Sequence, residues 1–218
     1  MIQDSIKKLF EVNSSNLPRD IPLFPLENVL LLPFGKLPLN IFEERYIKMT
    51  LDSLKSHRMI GVIQPKNNNN EFFMMGCIGK ITSYIETPDY RIVLNLEGVC
   101  RFVLEERNLS PNGYYQAKIN TSDYLEDLNS MEPQIDRNSL IQKYENFFKI
   151  KKLEIDKNVL GDTSNLQLLS TLAMIAPFNK IDKQAILESS NILERLNTIN
   201  TLLDLNTFQV VDGKNKIN

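Results

Sequence analysis

The chain has 218 residues, 42% of them hydrophobic and 24% charged, enough apolar material for one large domain or two small ones with a sizeable core. Its formal net charge of −2 exerts no overall pull on nucleic acid or an anionic membrane, and two cysteines are too few for a disulfide scaffold. No apolar run reaches the roughly 18 residues of a membrane span, and the amphipathic start "MIQDSIKKLFEVN" lacks the unbroken apolar stretch of a signal peptide, so a soluble cytoplasmic protein is expected.

Residues 1–19 read as a partly helical extension. From residue 21 the stretch "IPLFPLENVLLLPFGKLPLNIFEERY" is strongly apolar yet broken by Pro22, Pro25, Pro33 and Pro38, so no helix runs through it. "IPLF", "VLLL" and "KLPLNIF" read as short strands, with a turn at Pro33-Phe34-Gly35 before the last. A helix is predicted from about Glu43 to Ser56, with Ile47, Leu51 and Leu54 on one face. "GCIGKITSYIE" and "DYRIVLNLEGVCRFVLEE" read as strands joined by a hairpin turn at Thr87-Pro88-Asp89. In the second strand Ile92, Leu94 and Leu96 share a face, and Cys100, Phe102 and Leu104 repeat the pattern beyond Gly98, leaving Arg101 on the opposite side. A last strand is expected in "YYQAKINTSDY".

Short strands with prolines at their edges suit a small closed or highly curved sheet, because closure hides edge donors from unwanted pairing. The fold class expected is therefore α+β: a small, mostly antiparallel β-barrel over residues 20–124 that contains one long helix, then a C-terminal helical bundle. The acidic "DYLEDLNSMEP" supplies a hinge at 125–133, and 134–206 forms the helical subdomain. There Leu140, Tyr144 and Phe147 fall at helical spacing, and "SNLQLLSTLAMIA" runs until Pro177. Asp182 is expected to cap the helix "KQAILE", and Asn191 a final helix with the stripe Ile192, Leu196, Ile199 and Leu203. Residues 207–218 read as a flexible tail.

The residues offer little chemistry. His57 is the sole histidine, placed where a helix's negative end would hold it in a structural role. One histidine and two distant cysteines, Cys77 and Cys100, have no metal-ligand spacing. "GKIT" at 79–82 lacks the first glycine and the hydroxyl of a phosphate loop. Glu43 and Glu44 are adjacent helical positions that point apart, and acids at a helix start are favoured by its dipole in any case. Arg101 has two readings, an anion site or an ion pair with a nearby carboxylate, of which the pair is the more economical. "KIKK" at 149–152 is too short for a nucleic-acid stripe.

"IPLFPLENVLLLPFGKLPLNIFEERYIKM", "GCIGKIT", "LNLEGVCRF" and "LAMIAPFNKIDKQAILESSNILERL", in that order over about residues 20–205, resemble the N-terminal substrate-binding domain of Lon, the ATP-dependent protease. The resemblance implies a PUA-like barrel followed by helices, and a non-catalytic role in recognising unfolded or damaged polypeptides, possible intermediaries being a protease or a chaperone. It implies the stand-alone form of that domain, with no ATPase or Ser-Lys protease module, no cofactor and no metal. Phe34 in its turn, with Phe73, Met74 and Met75 beside the Asn run at 67–70, are the candidate peptide contacts; packing of the barrel end is their bland alternative. Because PUA-like barrels also occur in RNA-binding proteins, RNA is the alternative partner, set against the slightly acidic composition.

Overall fold

The computed structural model describes residues 11–66, 71–129, 131–154 and 163–215, so most of the expected N-terminal extension and the Asn run lie outside the described residues. Six strands form one mixed sheet: β1 (Asp20–Pro25), β2 (Lys36–Ile41), β3 (Met59–Pro65), β4 (Phe72–Glu86), β5 (Ile92–Leu109) and β6 (Tyr115–Asn120). Their order is β2-β5-β4-β3-β1-β6, and β5 also pairs with β6. Five strands thus complete a ring of pairings, while β2 hangs from the first half of β5. Only β1 and β3 run parallel; every other pair is antiparallel.

Two cores follow from strand alternation. Ile21, Leu23, Met59, Ile63, Phe72, Ile78, Phe102, Leu104, Ala117 and Ile119 come from the five ring strands and pack together. Phe102 is the plug of this cluster, and Gly61 and Gly76 leave the space its ring fills. The opposite faces supply Ile60, Val62, Cys77 and Leu94 to a larger core that also contains Tyr144, Phe147, Leu172, Phe178 and Ile199 from the C-terminal half. All seven residues of β3 are consequently buried, Met59 and Ile63 in one cluster and Ile60 and Val62 in the other.

The helices are α1 (Glu44–Leu54), α2 (Arg137–Ile150), α3 (Asn165–Ile175), α4 (Lys180–Glu188) and α5 (Ile192–Asn215), with a 3₁₀ segment at Ser122–Leu128. α5 packs on α2 and α4, and α4 reaches β4. Stacking of Phe147 on Phe178, with centroids 5.3 Å apart, joins α2 to the chain entering α4. Polar bonds add to the docking of the helices on the strands. The Gln64 amide donates to Gln184 Oε1 at 3.0 Å, Lys183 Nζ donates to the Asn28 carbonyl at 2.9 Å, and Ser170 Oγ donates to the Pro33 carbonyl at 2.7 Å.

Several local expectations change. "VLLL" is no strand: Leu30, Leu31 and Leu32 are buried in the larger core by irregular chain between left-handed residues Asn28 and Phe34. The buried face of α1 is Tyr46, Met49, Thr50 and Ser53; Ile47 and Leu54 pack against the larger core as expected, but Leu51 is 37% exposed. Thr50 and Ser53 can face inward because each hydroxyl bonds back to the carbonyl four residues earlier, Tyr46 and Met49 respectively. α4 starts earlier than expected: Asn179 is its N-cap, accepting from the Asp182 N–H at 2.9 Å. Asn191 caps α5 as expected, taking the N–H groups of Leu193 and Glu194. The helix then continues to Asn215 through much of the expected tail, since no proline interrupts it.

Candidate functional site

β2 and the segments of β4 and β5 that lie beyond the ring form a three-stranded extension. Register fixes its outer face: Asn40 lies opposite Val93, and Val93 opposite Ile85. Ile92, Leu94 and Leu96 turn inward and belong to the larger core, so Val93 and Ile85 turn out. Phe42 follows β2 on this side, within reach of Arg91, whose guanidinium carbon stands 5.8 Å from the ring centroid. Phe42 is 64% exposed, Ile85 68% and Val93 40%, and Tyr90 protrudes at the hairpin tip. Four apolar side chains at one end of a sheet form a larger apolar feature than isolated surface residues do.

The hairpin beneath them is held firmly. The Thr87 N–H donates to the Arg91 carbonyl at 2.9 Å, and the Arg91 N–H donates to Thr87 Oγ1 at 3.1 Å. Thr87 Oγ1 also donates to Asp89, and this bond, with the Arg91 guanidinium at 2.8 Å, holds the Asp89 carboxyl below its ordinary pKa. Arg91 is therefore anchored at the edge of the apolar face, where it adds a cation without entering it.

The four residues picked from the sequence are not assembled into one surface. Phe34 is half-buried at the turn against Gly98: its N–H donates to the Gly98 carbonyl at 2.9 Å, and the Gly98 N–H donates to Gly35 O at 2.8 Å. Its φ of 65° is a left-handed conformation that an aromatic residue rarely adopts. Phe73 is half-buried, with Lys66 Nζ 5.9 Å from its ring centroid. Met74 is 52% exposed, whereas Met75 packs in the larger core and offers no surface. Met74 and Met75 are consecutive strand residues and so point to opposite faces of β4. Phe42, Ile85, Tyr90 and Val93 were not picked out. The signal for Ile85, Tyr90 and Val93 was present in "SYIETPDYRIV", where apolar residues occupy the outward phase of two strands and the turn between them; Phe42 lies outside it.

The remaining candidates have structural partners. Arg101 is buried and forms a bidentate pair with Asp127, Nε to Oδ2 at 2.8 Å and Nη2 to Oδ1 at 3.0 Å. The same guanidinium donates to the carbonyls of Leu187 and Ser189, tying β5 to the 3₁₀ segment and to the end of α4. His57 lies in the turn just past the C-terminal end of α1. Its Nδ1 accepts the Met59 N–H at 3.1 Å, and burial, partly offset by a hydrogen bond with the Asp20 backbone, lowers its pKa. Glu43 accepts from Arg45 at 2.7 Å and Glu44 pairs with Lys48 at 2.7 Å. Cys77 and Cys100 are buried free thiols; burial raises both pKa values, that of Cys100 to about 12. Among the described residues no cluster of His, Cys, Asp and Glu is placed to hold a metal, and no helix is long and apolar enough to cross a membrane.

The profile of the ATP-dependent protease La (LON) substrate-binding domain matches residues 20–204. Curated relatives include the Lon protease of Buchnera aphidicola (subsp. Baizongia pistaciae), 26% identical over 195 residues, and that of Escherichia coli K12, 26% identical over 198 residues. In each case 85% of this chain is covered, but it spans only about a quarter of the relative's length, 25% and 24% respectively. The crystal structure of a Lon N-terminal domain protein from Xanthomonas campestris is similar in fold, with a TM-score of 0.60 at 20% identity over 84% of this chain and 97% of that one. The N-terminal domain of Mycobacterium avium complex Lon protease gives a TM-score of 0.55 at 13% identity over 86% of this chain and 97% of that one. The chain therefore belongs to the Lon substrate-binding domain family.

Proposed function

We propose that this domain recognises unfolded or damaged polypeptides by docking their apolar side chains on the outer face made by Phe42, Ile85, Tyr90 and Val93. The observation that carries the reading is the pairing of Val93 with Ile85, which sets two exposed apolar residues side by side on the face opposite buried Ile92 and Leu94. Family membership supports polypeptide as the ligand class. In this reading the ring of five paired strands is the PUA-like barrel, the C-terminal helices are its bundle, and 125–133 is the junction between them. Phe34, Phe73 and Met74 are secondary contacts at separate places. The role is binding alone, in a reducing cytoplasm, with handover to a protease or chaperone as the later step; it needs no cofactor and breaks no bond.

Burying three of these side chains contributes roughly 5 to 8 kcal/mol gross. Association costs about 4 kcal/mol or more, so a single site binds on the order of micromolar to millimolar. The test is fluorescence anisotropy with labelled casein and with an uncharged Leu-rich peptide at rising salt. Binding that changes little with salt is expected, and Ile85→Asp combined with Val93→Asp is expected to weaken it at least about tenfold without lowering the melting temperature. Unchanged affinity in that variant would remove the outer face from consideration. Binding to mixed RNA that falls steeply with salt would favour a nucleic-acid partner instead.

A further inference from the structure

β2 stands at one end of the strand order and is paired on its β5 side alone. The turn before it fixes which backbone groups it directs outward. The Gly98 N–H donates to the Gly35 carbonyl at 2.8 Å, which makes Gly35–Gly98 a hydrogen-bonded pair. In an antiparallel ladder such pairs alternate with open ones. The register continues through Lys36–Glu97, Leu37–Leu96, Pro38–Asn95, Leu39–Leu94 and Asn40–Val93. Leu37 and Leu39 therefore bond to β5, while Lys36, Pro38 and Asn40 turn their backbone groups away from it. Pro38 agrees with this phase: a residue without an N–H sits where β5 requires none. The free edge presents the N–H groups of Lys36 and Asn40 and the carbonyls of Lys36, Pro38 and Asn40, and among the described residues none bonds to them. Successive outward residues stand about 6.8 Å apart along the strand.

We infer that an extended polypeptide segment adds to this edge as a further antiparallel strand. The inference rests on the polypeptide-recognition reading above and specifies the conformation in which the client is held. Donors and acceptors repeating at this interval match the main chain of another strand whatever its side chains, which suits recognition of unfolded chains. Alternate side chains of the added strand fall on the outer face, beside exposed Pro38 and Asn40 and diagonal to Phe42. The others meet Leu37 and Leu39, which are only half-buried against the larger core, so the added strand gains apolar burial as well as backbone bonds. A second copy of this chain is the poorer occupant. Pro38 and the charge of Lys36, both devices that discourage edge-to-edge pairing, would enter such a ladder twice.

The test uses the full chain and three fluorescein-labelled peptides of alternating Val and Thr, residues close enough in shape that either edge of the peptide can face β2. The first is unmodified. The second carries N-methyl groups on three alternate residues, which leaves one edge with all its N–H groups. The third carries the same three groups on consecutive central residues, which interrupts both edges. Side chains, and with them apolar docking, are identical throughout. The first two peptides are expected to bind within about threefold of each other, and the third at least about tenfold more weakly. Asn40→Pro removes an N–H that no described residue accepts, at an edge position where proline fits. It should weaken the first two peptides at least about fivefold without lowering the melting temperature; should the variant fail to fold, the peptide series on the unaltered chain decides by itself. Equal affinities of all three peptides would overturn strand addition and leave the outer apolar face standing. Failure of every peptide to bind would overturn both. The chain is expected to sediment as a monomer, and a dimer that Asn40→Pro disperses would overturn the inference by giving the edge to a second copy.

Discussion

At the scale of single residues, this domain carries titratable groups that serve structure. His57 illustrates how a lone imidazole leaves a measurable trace. Its Nδ1 is an acceptor for the Met59 N–H, a bond available only to the neutral ring, and burial holds its folded pKa below the unfolded value of about 6.5. The unfolded chain then binds more protons than the folded one in the interval between the two pKa values. The stability contributed by the neutral ring is fully present above about pH 6.5 and is lost as pH falls through the folded pKa. Since His57 is the sole histidine, melting temperature should decline between pH 7.5 and 5.5, and His57→Gln should flatten that decline. An equal slope in the variant would place its cause elsewhere. Arg101 was legible in the sequence as an ion-pair residue because it interrupts an apolar strand; that its partner is Asp127, 26 residues on, depends on the 3₁₀ segment folding back.

At the scale of elements, the turn Pro33-Phe34-Gly35 shows how a proline-broken apolar stretch finds its place. Two backbone bonds seat it on Gly98, and a Cβ at Gly98 would collide with the Leu32 carbonyl oxygen. Gly98→Ala is expected to destabilise the domain by about 1–3 kcal/mol, read as a lower urea midpoint, because rigid backbone cannot yield as a flexible side chain would. An unchanged midpoint would mean that the loop is free to shift. β5 was legible from period-two alternation, β1, β2, β4 and β6 from apolar runs between turn residues, and the C-terminal helices from apolar spacing and caps. β3 was not read as a strand, because burial on both faces leaves it no alternation. What misled was local in each case. "VLLL" has the composition of a strand, but flanking left-handed residues and two seating bonds make it buried loop. The face of α1 was misjudged because Thr50 and Ser53 look polar until their hydroxyls are satisfied within the helix. The outer apolar face needed the pairing register to bring Phe42 beside residues some fifty positions away.

At the scale of the whole molecule, one core joins the strands to the C-terminal helices, and the Arg101–Asp127 pair crosses the same junction. The two halves are expected to unfold together, with coincident urea transitions for helix ellipticity at 222 nm and for the near-ultraviolet tyrosine signal. Asp127→Ala leaves two buried guanidinium groups without their shared anion and should lower stability by about 3–5 kcal/mol, moving both signals equally. Loss of helix at lower urea than loss of tyrosine ellipticity would show instead that the halves are separate cooperative units.

β5 is 18 residues long and serves both the ring and the extension that hangs from it. Val93 and Arg101 stand on this one continuous strut, about eight residues and so roughly 26 Å apart. A pull on the outer end of this strut therefore reaches the Arg101–Asp127 junction along a single run of backbone.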